Sequence, residues 1–127
     1  VKEIADKENV EHLPCLKHRS IDGGAIEKIY IPENTLDKNL IYVIVDDICD
    51  GGRTFIALAE ALKEKGAEKI ILAVTHGIFS NGLLDLYASS ISKIYTTDSI
   101  HYNRESWDKI AYGDCDITVF DAMSYLT

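Results

Sequence analysis

The stretch from Ile41 to Thr54, IYVIVDDICDGGRT, constrains this chain more than any other. Ile41-Tyr42-Val43-Ile44-Val45 is apolar without the polar alternation of a half-exposed strand, so it predicts a strand buried on both faces of a sheet and ending at Asp46. Asp46 and Asp47 then stand at its carboxyl end. The loop Asp50-Gly51-Gly52-Arg53-Thr54 leads into Phe55 to Lys63, whose apolar residues recur at helical spacing. Strand, acidic turn, glycine loop and helix in that order predict a ligand site, because open α/β sheets bind ligands outside the carboxyl ends of their strands.

The remainder of the chain predicts how that unit is completed. Val1 to Asn9 reads as a short helix with Val1, Ile4 and Ala5 on one side and no N-cap before it. Val10 to Leu16 reads as an edge strand because of Pro14, and the turn signal Asp22-Gly23-Gly24 pairs it in a hairpin with Ala25 to Ile31. After the central helix, Gly66 is expected at the C-cap. Ala67 to Thr75 is the next buried strand, Asn81 to Ser90 a short helix with Leu83, Leu84, Leu86 and Tyr87 inward, and Ile91 to Thr96 a third parallel strand. His101 to Gly113 reads as a loop with one helical turn around Trp107, and Ile117 to Phe120 as the last strand. The predicted fold class is α/β, a doubly wound, mostly parallel sheet with flanking helices and a β-hairpin near the N-terminus. Three strand ends, carrying Asp46-Asp47, Thr75-His76-Gly77 and Thr96-Thr97-Asp98-Ser99, should converge.

A chain of 127 residues is one domain at most. Its formal charge of -8 argues against a nucleic-acid backbone or an anionic membrane as main partner, and an anionic ligand would need local positive potential. No segment approaches the roughly 18 to 20 apolar residues of a membrane span. Cys15, Cys49 and Cys115 are odd in number and lack metal or disulfide spacing, so they read as reduced thiols of a cytoplasmic protein, Cys49 as a small buried filler. Tyr95, Tyr102, Trp107 and Tyr112 have few basic residues among them and read as packing rather than a base-stacking surface.

A glycine loop running into a helix N-terminus presents backbone N–H groups and the positive end of the helix dipole, a setting for a phosphate. Gly51 and Gly52 allow close approach, Thr54 supplies a hydroxyl and Arg53 a guanidinium. Asp46 and Asp47 cannot hold a phosphate themselves; paired carboxylates accept from paired hydroxyls, directly or through Mg²⁺. A phosphate near a vicinal diol describes ribose 5-phosphate. The loop has neither the Lys-Ser/Thr of a Walker A loop nor a GxGxxG fingerprint. An ordinary strand-to-helix connection is the bland alternative, as a solvated hairpin tip is for Lys17 and Arg19. His76 invites a catalytic role, but a structural one, bonding the strand-end backbone, is the expectation.

VDDICDGGRTF resembles the phosphoribosyl-diphosphate signature of type I phosphoribosyltransferase folds. Lys17-His18-Arg19 before it, and Gly66-Ala67, Thr75-His76-Gly77-Ile78-Phe79-Ser80 and Thr97-Asp98-Ser99 after it, are similar to the pattern of the ribose-phosphate diphosphokinases, across the whole of 1–127. The resemblance implies that Asp46 and Asp47 hold the ribose hydroxyls, that Asp50, Gly51, Gly52, Arg53 and Thr54 bind the 5-phosphate, and that Lys17 and Arg19 are catalytic residues on a loop closing over ATP. It implies Mg²⁺ as cofactor, ribose 5-phosphate and ATP as partners, and a homo-oligomer. It also implies that 1–127 is a single phosphoribosyltransferase-like domain, the C-terminal part of a two-domain enzyme, whose N-terminal half and own diphosphate loop are not in this sequence. The uncapped helix at Val1 agrees with a fragment. The loop departs from the family pattern Asp-(Thr/Ser)-(Ala/Gly)-Gly-Thr by losing a hydroxyl and gaining Arg53. A phosphoribosyltransferase of nucleotide synthesis or salvage, for which no base-binding hood is visible, and a non-catalytic regulatory subunit are the other readings.

Overall fold

The computed structural model describes residues 2–19, 27–32, 34–80, 83–100 and 116–121. Helix α1 (Lys2–Lys7) precedes a two-stranded antiparallel hairpin, β1 (Leu16–Arg19) and β2 (Glu27–Tyr30). A four-stranded parallel sheet follows, with β3 (Ile41–Cys49), α2 (Arg53–Glu64), β4 (Lys69–Gly77), α3 (Leu84–Tyr87), β5 (Lys93–Thr97) and β6 (Asp116–Phe120) in chain order. The α/β class with a mostly parallel sheet, helices and an N-terminal hairpin is as expected. The described strands lie side by side in sequential order, β3-β4-β5-β6.

Helix α2 forms because Phe55, Leu58, Ala59 and Leu62 recur on one face, with Ala59 and Leu62 fully covered. Its cap is Lys65, and Gly66 follows it, with Gly66 N–H donating to the Lys63 carbonyl and Ala67 N–H to the Leu62 carbonyl. The face of the sheet that joins α2 and α3 in the core carries Ile44, Ile70, Leu72, Val74 and Ile94. Each such burial contributes about 1.5–3 kcal/mol against solvent exposure.

Several expectations are corrected by this architecture. The run Ile41 to Val45 is not covered on both faces: Ile41 is 57% and Val43 52% exposed, while Ile44 is buried. Right-handed crossovers between consecutive neighbours place their helices on one face of a sheet, which leaves the other without a described covering layer. β3 does not stop at Asp46, since Ile48 and Cys49 stay in register with His76 and Gly77 of an equally extended β4. The first hairpin strand is Leu16–Arg19, while Val10 to Cys15 is irregular. In α1 Ala5 is buried but Ile4 is 53% exposed, and a helix this short buries little more than one position. Of the helix expected from Asn81 to Ser90, the described residues form one over Leu84–Tyr87; Leu83 at its N-cap, Leu86 and Tyr87 are buried, while Leu84 is exposed. The turn at Asp22-Gly23-Gly24, Cys115, Tyr102, Trp107 and Tyr112 lie outside the described residues; Tyr95 stacks on Phe120 with ring centroids 5.9 Å apart.

Candidate functional site

The carboxyl end of β3 opens onto a cleft of about 360 Å³ lined by Asp46, Ile48 and the continuous run Asp50 to Phe55. The strand delivers its carboxylates, the loop turns the backbone, and α2 begins one residue beyond Gly52. Gly52 adopts φ 81°, and its carbonyl accepts the Ile56 N–H at 2.9 Å, so it starts the helix from a left-handed conformation that glycine takes without strain. Gly52, at the N-cap, brings no capping side chain of its own. The start of α2, with the positive end of the helix dipole, lines the cleft through Arg53 and Thr54.

The two glycines, equivalent in the sequence, differ here. No described residue lies within 4 Å of a Cβ placed on Gly51, whereas one placed on Gly52 would meet Leu86 Cδ2 at 2.8 Å. Gly51 is exposed rim, open to a ligand; Gly52 is buried floor, with the short helix α3 packed beneath it. A second close approach underlies the end of β4. A Cβ on Gly77 would meet the Phe79 ring and, at 2.8 Å, Thr96 Oγ1. Phe79 is 1% exposed and sits at φ 46°, a strained conformation for an aromatic residue that the surrounding packing must hold in place.

Asp46 and Asp47 are both exposed, and Asp46 Oδ1 accepts the Asp47 N–H at 2.8 Å. A hydrogen bond with the Asp46 side chain, then its own backbone N–H, hold the Asp47 carboxyl below its ordinary value, and His76 adds a weaker Coulombic pull. Asp50 is held low as well, chiefly by the Ser80 hydroxyl and then by the Ser80 N–H. Cys49, 1% exposed, is the buried filler expected: burial first, and the Asp50 and Asp46 charges next, push its thiol up to about 12.

The expected convergence of strand ends is present. Ile78 N–H donates to the Cys49 carbonyl at 2.9 Å, joining the ends of β3 and β4. Thr97 Oγ1 donates to the Thr75 carbonyl at 2.6 Å and accepts the Ser99 N–H at 3.2 Å, joining β4 and β5. His76 departs from expectation, for its Nδ1 lies 2.7 Å from Ser99 Oγ rather than on strand-end backbone. The cause is local: β4 gains an irregularity between Ala73 and His76 against β5, and such bulges re-aim the side chains beyond them. Ser80 and Leu86 stand in the sequence reading only as part of the Thr75 to Ser80 pattern and as an inward helix residue; their partners, Asp50 and Gly52, are found by the structure. Ser80 contacts Asp50 across a separation of 30 residues, which no local pattern announces. Lys17 and Arg19 fall on β1, in register with Ile29 and Glu27, and the hairpin lies against α2 through β2.

Fold and cleft together define a class, an α/β protein whose parallel sheet carries two adjacent carboxylates near the end of β3 and a glycine loop that opens α2. Residues 34–124 match the family described as phosphoribosyl synthetase-associated domain, and the chain belongs to that family. It is 44% identical over 62 residues to a ribose-phosphate pyrophosphokinase of Thermosipho africanus, which covers 48% of this chain and 20% of that protein. It is 36% identical over 91 residues to the ribose-phosphate pyrophosphokinase of Thermotoga maritima, covering 71% and 28%, and 42% identical over 73 residues to ribose-phosphate pyrophosphokinase B of Dictyostelium discoideum, covering 55% and 22%. The chain thus spans between 20% and 28% of the length of these relatives. The crystal structure of phosphoribosylpyrophosphate synthetase from Mycobacterium smegmatis superposes with a TM-score of 0.63 at 18% identity, over 93% of this chain and 36% of that one, which shows a shared fold. The resemblance read from the acidic signature and from Thr75 to Ser80 is borne out by these relatives.

Proposed function

We propose that this chain is the ribose-5-phosphate-binding domain of a ribose-phosphate diphosphokinase, an enzyme that moves the diphosphoryl group of ATP to the 1-hydroxyl of the sugar. The observation that carries this reading is the cleft lined by Asp46 and by Asp50 to Phe55, where the Asp46 carboxylate stands beside the glycine loop that opens α2. Asp46 and Asp47 take the ribose hydroxyls. Gly51, Gly52, Arg53 and Thr54 take the 5-phosphate at the start of α2.

No group of three or more His, Cys, Asp or Glu able to hold a metal stands among the described residues. Two exposed neighbouring carboxylates nonetheless suit Mg²⁺, which keeps several waters and is held by one or two carboxylates together with substrate oxygens. Asp46 and Asp47 would hold it, and the ion would offset negative charge between sugar and phosphates. Lys17 and Arg19, in this reading, meet the charge that develops on the moving diphosphoryl group, which is what phosphoryl-type transfer chiefly asks of a protein. The domain works as the C-terminal part of a two-domain cytoplasmic parent, in an oligomer that supplies the rest of the ATP site. Among the described residues, no helix is long and apolar enough to cross a membrane.

Calorimetric titration tests the reading directly. Ribose 5-phosphate binds the wild-type chain, and Asp47→Ala or Thr54→Ala abolishes the heat. A wild-type chain that gives no heat with ribose 5-phosphate overturns the proposal.

A further inference from the structure

Asp50 is the one carboxylate within the anion loop, where its charge opposes a phosphate. One of its oxygens holds two donors of a single distant residue. Its Oδ1 accepts the Ser80 N–H at 2.9 Å and the Ser80 hydroxyl as well, both from the loop that follows β4. These bonds join two strand-end loops that the neighbouring Ile78 N–H to Cys49 carbonyl bond also joins, so the contact is a double-anchored clamp rather than a lone surface bond. Ser80 directly follows Phe79, which is buried at φ 46°, and a backbone strain of that kind persists only where its surroundings over-determine it. The clamp therefore acts on both sides. It fixes the first residue of the Asp50 to Thr54 loop and it holds the strained Phe79 turn against Gly77.

Resting on the sugar-phosphate reading of the cleft, we propose that Asp50 is a positioning residue that shapes the anion loop through Ser80, and that it is not itself a phosphate ligand. A carboxylate serves better than a neutral group as a double acceptor, since hydrogen bonds to an ionised acceptor are shorter and stronger. The two donors also draw its charge toward Ser80 and away from the loop's N–H groups.

The test compares Asp50→Ala, Ser80→Ala, the double variant and Asp50→Asn in the 127-residue chain, by calorimetric titration with ribose 5-phosphate and by amide hydrogen exchange without ligand. Losing a charge-assisted clamp weakens binding about tenfold in either alanine variant and speeds exchange at 51–54 by a similar factor. The double variant is no worse than either single one, because the pair acts as a unit. Asp50→Asn restores most of the affinity and protection lost in Asp50→Ala, since its amide oxygen still accepts from Ser80. Equal loss in Asp50→Asn and Asp50→Ala, or fully additive losses in the double variant, overturn the proposal by making the charge itself the functional group. If the wild type binds no ribose 5-phosphate, the ligand reading fails. The exchange pattern then decides the clamp by itself: protection lost in both alanine variants and kept in Asp50→Asn supports it, and protection unchanged in all of them overturns it.

Discussion

The floor and the rim of the cleft are built on opposite terms. Gly52 in the loop, Leu86 beneath it, and Cys49 and Phe79 at the ends of the two neighbouring strands are almost without exposure. Asp46, Gly51 and Arg53 lie along the edge, exposed, with no described residue within 4 Å of the place where Gly51 would carry a Cβ. The lesson is that adjacent residues of one short motif divide into those that determine stability and those that determine what binds. A substitution in the floor should unfold the loop, and one in the rim should empty it.

Leu86→Ala is the strongest way to break this division. Leu86 is 1% exposed and packs under Gly52, so truncation should cost about 2–5 kcal/mol in chemical denaturation and weaken ribose 5-phosphate binding only as a consequence. A stability loss below about 1 kcal/mol would show that α3 is not the floor. The paired glycines sharpen the contrast further. Gly52→Ala meets both a positive φ and a 2.8 Å contact with Leu86, and should lose roughly 1–3 kcal/mol. Gly51→Ala should stay within about 0.5 kcal/mol of wild type in the same denaturation series, while its added methyl weakens sugar-phosphate binding. Equal stability losses at the two positions would erase the distinction. The smallest effect is chemical. The Cys49 thiol, pushed up to about 12 by burial and by the neighbouring carboxylates, should resist alkylation at pH 8 in the native chain and react on unfolding, as peptide mapping by mass spectrometry would report.

Much of the site was legible because its signals are local. Continuous β-branched residues, an acidic turn, Gly51-Gly52 and the apolar spacing from Phe55 to Leu62 occur within one strand–loop–helix unit, where chain connectivity already brings the groups together. The convergence of Asp46-Asp47 with Thr75 to Ser80 followed from the parallel arrangement alone. The exact partners did not. His76 turns to Ser99 because β4 is irregular against β5, and Asp50 turns to Ser80 because two loops separated by 30 residues meet. The limits of β3 were misjudged because Asp46 and Asp47 are poor strand formers by type, yet a β4 extended to Gly77 offers their backbone a ladder to join.

By itself, then, the sequence determined the α/β class, and it is the source of the proposal that the carboxyl end of β3 takes a ribose phosphate. Both depend on residue type and short-range spacing. Only the tertiary structure decided which of two adjacent glycines is packed beneath the loop and which is exposed, which carboxylate is tied to Ser80, and which face of the sheet is covered among the described residues. The apolar pattern of Ile41 to Val45 specifies that both faces avoid water, but a pattern along one strand carries no information on what packs against it. Ile44 is buried and Val43 is not because the crossovers through α2 and α3 bring their side chains to one face of the sheet.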